Sequence, residues 1–393
     1  METNKNVLPE VVMFAGAPAA NPAVYHRVRF LVGDPTAVIE TRWPDGRSER
    51  LFLLRDIEME RARRSARADR VACPADFAPP EGLPGDREVA TAQAAAEYVR
   101  RLGAKRVRCD RSLPLIYAHF LKKAGVEVEC DVSLGVIERR CKDEQEIAWL
   151  QEAQQVTEEA VRMACRMIAS AHARRDGVLV YEGEELTSER VRAAIDVWLL
   201  QRGYENPTSI VAGGPQGADC HDTGHGPLRT EEPVIVDVFP RCRATRYWGD
   251  CTRTVVHGSI ADEIARMHAT VVRAKAAAMA ALRAGVTGQQ VHEATLSVIR
   301  QAGYSVGLPP EGASEDYCAM THGTGHGVGL EVHEPPLLDF GGPPLLAGDC
   351  LTIEPGLYCR ARGGVRVEDM VIVTQEGYRS LSQLPEVLDW RDV

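Results

Sequence analysis

The chain has 393 residues, 45% hydrophobic and 26% charged, the balance of a globular protein long enough for a small domain beside a larger one. A formal net charge of −10 disfavours nucleic acid and anionic membranes as partners, and no run approaches the roughly 20 apolar residues of a membrane span. The 11 cysteines are odd in number and never form C-x-x-C, so reduced thiols in a cytoplasmic protein are expected.

In chain order, residues 11–20 are apolar, but only Lys5 precedes them, Glu2 and Glu10 flank them, and Gly16 and Pro18 interrupt them. A secretory signal is therefore not expected there. Short strand-like runs follow at 36–39, 51–54 and 107–110. The spacing of Ala90, Ala94, Tyr98 and Leu102 predicts a helix over 87–102, and a second helix over 115–124 has Gly125 as its stop. Residues 1–137 thus read as a small α/β domain. A long amphipathic run over 142–173 places Ile147, Leu150, Ala153, Val156, Ala160, Val161, Ala164 and Ile168 on one face. It opens the second domain, 138–393. Further helices are predicted over 187–201, 261–284 and 287–301, with strands over 234–237, 350–354 and 365–373. Helices, strands, helices and strands in that order suggest a coarse duplication. Pattern alone supports an α+β carboxy-terminal domain behind the smaller α/β one.

The second half carries the chemistry. Asp237 ends the apolar run Val234-Ile-Val, Asp250 sits in Gly249-Asp-Cys-Thr-Arg-Thr, Glu354 in Leu351-Thr-Ile-Glu-Pro-Gly, and Glu368 in Val365-Arg-Val-Glu-Asp. A carboxylate in or at the end of a buried strand needs a partner or a metal, because a bare buried charge is very costly. Between them runs Thr321-His-Gly-Thr-Gly-His-Gly-Val-Gly-Leu-Glu-Val-His-Glu-Pro-Pro, which holds His322, His326 and His333. Its glycines at 323, 325, 327 and 329 allow close backbone approach to a ligand. Four carboxylates and one neutral imidazole suit two divalent ions such as Mn, Co, Fe or Zn, with a ligand charge of about −4 against +4. A lone catalytic zinc usually takes three protein ligands, so this set points to two ions, which can activate a water near neutral pH.

From about residue 138 onward the chain resembles the pita-bread metallopeptidases: methionine aminopeptidase, aminopeptidase P and prolidase. The strings Gly-Asp-Cys-Thr-Arg-Thr, Gly-His-Gly-Val-Gly, Val-His-Glu-Pro, Thr-Ile-Glu-Pro-Gly and Gly-Val-Arg-Val-Glu-Asp carry the likeness. It implies a pita-bread catalytic domain over 138–393 and a shortened creatinase-N-like domain over 1–137. It implies the metal ligands Asp237, Asp250, His326, Glu354 and Glu368, in the family order Asp, Asp, His, Glu, Glu. The two ions are expected to be Mn or Co first, with Zn or Fe as alternatives. His333, seven positions after His326, matches the histidine that contacts the scissile carbonyl. His221 resembles the histidine facing bound substrate, with His225 as its competitor. Glu354 is expected to act also in general acid/base catalysis. His322 and Arg366 resemble the proline-directed branch, where such residues hold the substrate or brace the metal site. Arg366 therefore has two readings, a partner for a substrate carboxylate or for a ligand carboxylate.

The resemblance thus implies cleavage of the amino-terminal bond of short peptides, of Xaa-Pro type, by a cytoplasmic homodimer. The alternatives are a creatinase-like hydrolase of another small amide and a non-catalytic binding module. One departure stands out: Asp250 follows Asp237 by thirteen positions, longer than the family's usual spacing. The extra stretch carries Arg241, Arg243 and Arg246, read either as a solvated turn or as positive charge beside the site.

Overall fold

The structure, a computed structural model, describes residues 8–393. Glu2 and Lys5, which bear on the signal-segment reading, lie outside the described residues. The chain divides into two compact units, one ending at Arg139 and the other running from Arg140 to Val393.

The first unit is a six-stranded mixed sheet in the order β4-β3-β2-β1-β5-β6. Its strands are β1 (Glu10–Gly16), β2 (Thr36–Arg42), β3 (Ser48–Leu53), β4 (Arg70–Ala72), β5 (Arg106–Cys109) and β6 (Glu127–Cys130). The apolar stretch near the amino terminus is thus a central strand, antiparallel to β2 and parallel to β5. Side-chain alternation gives it two buried faces. Val11, Met13 and Ala15 pack with α3 (Arg87–Arg101) and α4 (Leu115–Lys123), whereas Phe14 packs with α1 (Pro22–Val28) and α2 (Met59–Ser65).

After the short helix α5 (Val136–Arg140), the second unit opens with α6 (Glu144–Ala169). Asp143 caps α6 in a reciprocal box with Glu146, which satisfies first-turn amides. α6 and α7 (Ser188–Leu200) cover one face of an antiparallel sheet of β7 (Ser209–Gly213), β8 (Pro233–Val238) and β9 (Cys251–Val256). On that face Val234, Val236, Val238, Cys251 and Val255 join the helices in one apolar cluster. Alternation turns Asp237 and Thr252, directly paired across β8 and β9, to the opposite face.

The second half repeats the order of helices and then strands. α8 (Asp262–Ala281) and α9 (Gly288–Gln301) precede two sheets. One holds β10 (Ser305–Val306), β11 (Cys318–Met320), β15 (Gly356–Cys359) and β16 (Gly363–Arg366). The other, in the order β13-β12-β14-β17-β18, holds β12 (Gly325–Gly327), β13 (Glu334–Leu338), β14 (Cys350–Ile353), β17 (Asp369–Val373) and β18 (Tyr378–Ser380). The single strand predicted over 365–373 is therefore two strands in different sheets, with Val367 and Glu368 at the break. Among the described residues no helix is long and apolar enough to cross a membrane.

Candidate active site

Five segments converge on one cavity of about 400 Å³. Asp237 comes from within β8, Asp250 from the residue before β9, and His326 from the middle of β12. Glu354 follows β14, and Glu368 occupies the break between β16 and β17. All five line the cavity, together with His221, His322, His333 and Arg366. Exposure is graded across the set. Asp237, Asp250, His326, Arg366 and Glu368 are buried, Glu354 and His322 are half-buried, and His221 and His333 are exposed.

The donors fit a divalent metal. Single ligand atoms of Asp250, His326 and Glu368 lie within 4.8 Å of one another. His326 Nε2 stands 3.8 Å from Asp250 Oδ2 and 3.4 Å from Glu354 Oε1. Its Nδ1 lies 3.1 Å from the Gly327 carbonyl, the arrangement that leaves Nε2 as the lone-pair donor. Asp237 Oδ1 is buried without a hydrogen-bond partner, an orphaned acceptor that a cation would satisfy. Burial and then the neighbouring carboxylates push Asp250 and Glu368 well above the usual carboxylate range. Burial lowers His326 to about 4, which keeps the imidazole neutral and able to ligate. Negative charge is thus crowded beyond what the site's own cations balance.

Around these donors lies a supporting shell. Gln154 of α6 brackets Asp250 through its backbone: its amide accepts from the Asp250 N–H and donates to the Asp250 carbonyl, each at 2.9 Å. Thr252 donates to Glu368 Oε2 at 2.7 Å. Arg366 Nη2 donates to Asp237 Oδ2 at 2.6 Å, and Nη1 donates to the Tyr358 hydroxyl at 2.9 Å and to the Cys220 carbonyl at 3.3 Å. Of the two readings of Arg366, this geometry is that of the brace on a ligand carboxylate. The Tyr358 hydroxyl also lies 2.7 Å from His322 Nε2, while His322 Nδ1 faces the Gly323 carbonyl at 2.8 Å. Burial holds the Tyr358 phenol above its ordinary pKa, so it remains a donor to His322.

The structure adds detail to three expectations. The motif glycines serve strand packing more than ligand approach: a Cβ on Gly325 would collide with the Thr352 carbonyl, and one on Gly327 with the carbonyls of Glu334 and Pro335. Arg241 and Arg246 both pair with Glu205, the latter at 3.2 Å, so two of the three arginines in the extra stretch between the two aspartates are tied to one carboxylate in a folded turn. His221 lines the cavity and His225 does not, among the described residues. Gln154, Thr252, Tyr358 and Asp339 escaped the sequence reading. Thr252 alone had a signal, two positions after Asp250 on the same strand face.

The fold and cavity define a class, a pita-bread scaffold around an acidic, imidazole-containing centre for divalent metal. Residues 148–375 match metallopeptidase family M24, and the chain belongs to that family. It is 35% identical over 236 residues to a probable dipeptidase PepE of Mycobacterium tuberculosis, covering 58% of each chain. The alignment thus spans less than two thirds of that relative's length. It is 28% identical over 293 residues to an Xaa-Pro dipeptidase of Pyrococcus horikoshii, covering 73% of this chain and 76% of that one. The solved prolidase from Pyrococcus horikoshii OT3 shares the fold with a TM-score of 0.75 at 23% identity, over 96% of this chain and 95% of that chain.

Proposed function

We propose that this protein is a metal-dependent hydrolase that removes the first residue of short peptides, with a preference for proline in the second position. The observation that carries the reading is the meeting of Asp237, Asp250, His326, Glu354 and Glu368 in one cavity with His221 and His333 at its open side. Relatives named Xaa-Pro dipeptidase favour the proline preference, as does the apolar side of the cavity, where Ile210, Phe239, Val332 and Leu337 offer a surface for a pyrrolidine ring.

The five donors would hold two divalent ions, Mn or Co before Zn or Fe, which when bound polarise the scissile carbonyl and activate a water. His333, exposed beside His326 with ring centroids 4.2 Å apart, donates to the carbonyl oxygen as negative charge builds there. His221 faces the substrate across the cavity. The Glu354 side chain is 19% exposed against 5% for Asp250, so it is the better placed to pass a proton to the leaving amine. Arg366 holds the Asp237 carboxylate in place, and Tyr358 fixes His322 at the substrate wall. Residues 1–137 serve as the family's creatinase-N-like domain. Eleven free cysteines accord with the cytoplasm, and a homodimer follows from the resemblance to the family.

The test is to strip the protein with chelator and restore Mn, Co or Zn, using matched peptides with Pro or Ala second. Metal-dependent release of the first residue from the Pro peptide alone supports the reading. No hydrolysis with any metal, despite bound ions, sinks it.

A further inference from the structure

Five carboxylates line the cavity, and the fifth has no part in the metal centre. Asp339 follows β13, at the Gly323 and Leu337 side of the opening, and its side chain is 43% exposed. It is held in place on one oxygen: Oδ1 accepts the Phe340 N–H at 2.7 Å and lies 3.4 Å from His292 Nε2. His292, buried on α9, is fixed in turn by Thr324 Oγ1, 2.9 Å from its Nδ1. Gly323 packs closely beside Asp339, and a Cβ there would stand a tight 3.2 Å from the Asp339 Cβ. Burial holds His292 below its ordinary pKa, so it does not cancel the charge above it.

Among the described lining residues no lysine or arginine is free to compensate the Asp339 charge. Arg366 is the one present, and its guanidinium is committed to Asp237, Tyr358 and the Cys220 carbonyl. Divalent ions held by the other four carboxylates would balance their charge and leave Asp339 facing the peptide alone. A fixed, partly exposed negative charge beside an apolar wall selects the cation that reaches it.

We propose that Asp339 is a specificity residue that recognises positive charge on the peptide, either the free α-ammonium group or a basic side chain. The proposal rests on the peptidase reading. A merely structural Asp339 would act as a turn acceptor for Phe340, and asparagine preserves that acceptor while removing the charge.

The experiment compares wild type and Asp339→Asn, both loaded with Mn, on peptides with proline second. The first residue is lysine or norleucine, each also supplied as the acyl analogue lacking the α-amino group. Melting curves confirm that the variant folds. The proposal expects kcat/KM to fall about fivefold through KM, the size of a partly solvated charge pair. A loss on both amino peptides and neither acyl analogue assigns the α-ammonium. A loss confined to the lysine peptides assigns the side chain. Unchanged values for every peptide, with wild type active, overturn this proposal and leave the peptidase reading intact. An inactive wild type overturns both.

Discussion

Two buried charge clusters sit on opposite faces of one sheet, and they are built on different terms. On the α6 side of β9, Arg253 donates to Asp369 Oδ1 at 2.7 Å and to the Glu368 carbonyl at 2.6 Å. Lys275 pairs with Asp369 and, at 2.5 Å, with Glu386. Arg253 and Lys275 meet Asp369 and Glu386 in direct pairs, and the buried Glu158 of α6, held by the Gln383 and Leu384 N–H groups, also lies within the field of Arg253. Although burial pushes the Asp369 carboxyl up, Arg253 and Lys275 together hold it below its ordinary value. On the other face stand Asp237, Asp250, Glu354 and Glu368 with Arg366 as the one paired cation. Burial and mutual repulsion there raise Asp250 and Glu368. Glu368 and Asp369 are neighbours in sequence, yet one belongs to each cluster. The lesson is that burial alone does not mark a functional carboxylate. Its charge balance does: a neutral cluster holds the sheet together, and an unbalanced one waits for an ion.

The comparison breaks most visibly at Asp250. Asp250→Asn is expected to lower turnover on the order of a thousandfold with any metal. In chelator the variant should melt no lower than wild type, because it removes one of the crowded charges, and the stabilisation that added metal brings to wild type should shrink. Calorimetry with and without metal, beside a peptide assay, reads both halves. Asp369→Asn should do the reverse. It leaves Arg253 and Lys275 underpaired in the core, a loss of roughly 3–5 kcal/mol in stability, visible as a lower urea midpoint with and without metal. If Asp250→Asn instead unfolds the chelated protein while Asp369→Asn melts like wild type, the assignment of the two clusters is inverted.

The helices of the second unit were the most legible elements, because apolar side chains recur at helical spacing over long runs. Helix 287–301 is observed as Gly288–Gln301 and 187–201 as Ser188–Leu200, each opened by a threonine cap. Strands were harder to read. The run over 365–373 is rich in β-branched residues on both sides of Glu368-Asp369, so it reads as one strand and does not reveal the break that frees Glu368 from sheet pairing. In the first unit, β1 is buried on both faces and lacks alternation, while β4 and β6 span three and four residues. For the site, the carboxylates and histidines stand out since charge inside apolar strands is anomalous. Their supports do not. Gln154 lies 96 positions before Asp250 on a helix face that reads as ordinary, and nothing near Tyr358 in sequence shows that its hydroxyl meets two side chains.

That hydroxyl gives the finest test of how an unbalanced centre is supported. Tyr358→Phe removes the donor to His322 Nε2 and the acceptor for Arg366 Nη1, while the direct bond from Arg366 to Asp237 at 2.6 Å remains. Metal binding should therefore be nearly unchanged, and kcat/KM should fall roughly three- to tenfold, the worth of one or two hydrogen bonds. Gly356 bears on the same point: a Cβ there would collide with the Tyr358 hydroxyl, so the chain leaves room for that oxygen. Titration of Mn into the variant, followed by steady-state kinetics, separates two routes of support. A large loss of metal affinity would mean that Arg366 cannot hold Asp237 without the phenol and that the brace is a three-member unit. Intact affinity with a selective loss in KM would place Tyr358 on the substrate side, acting through His322.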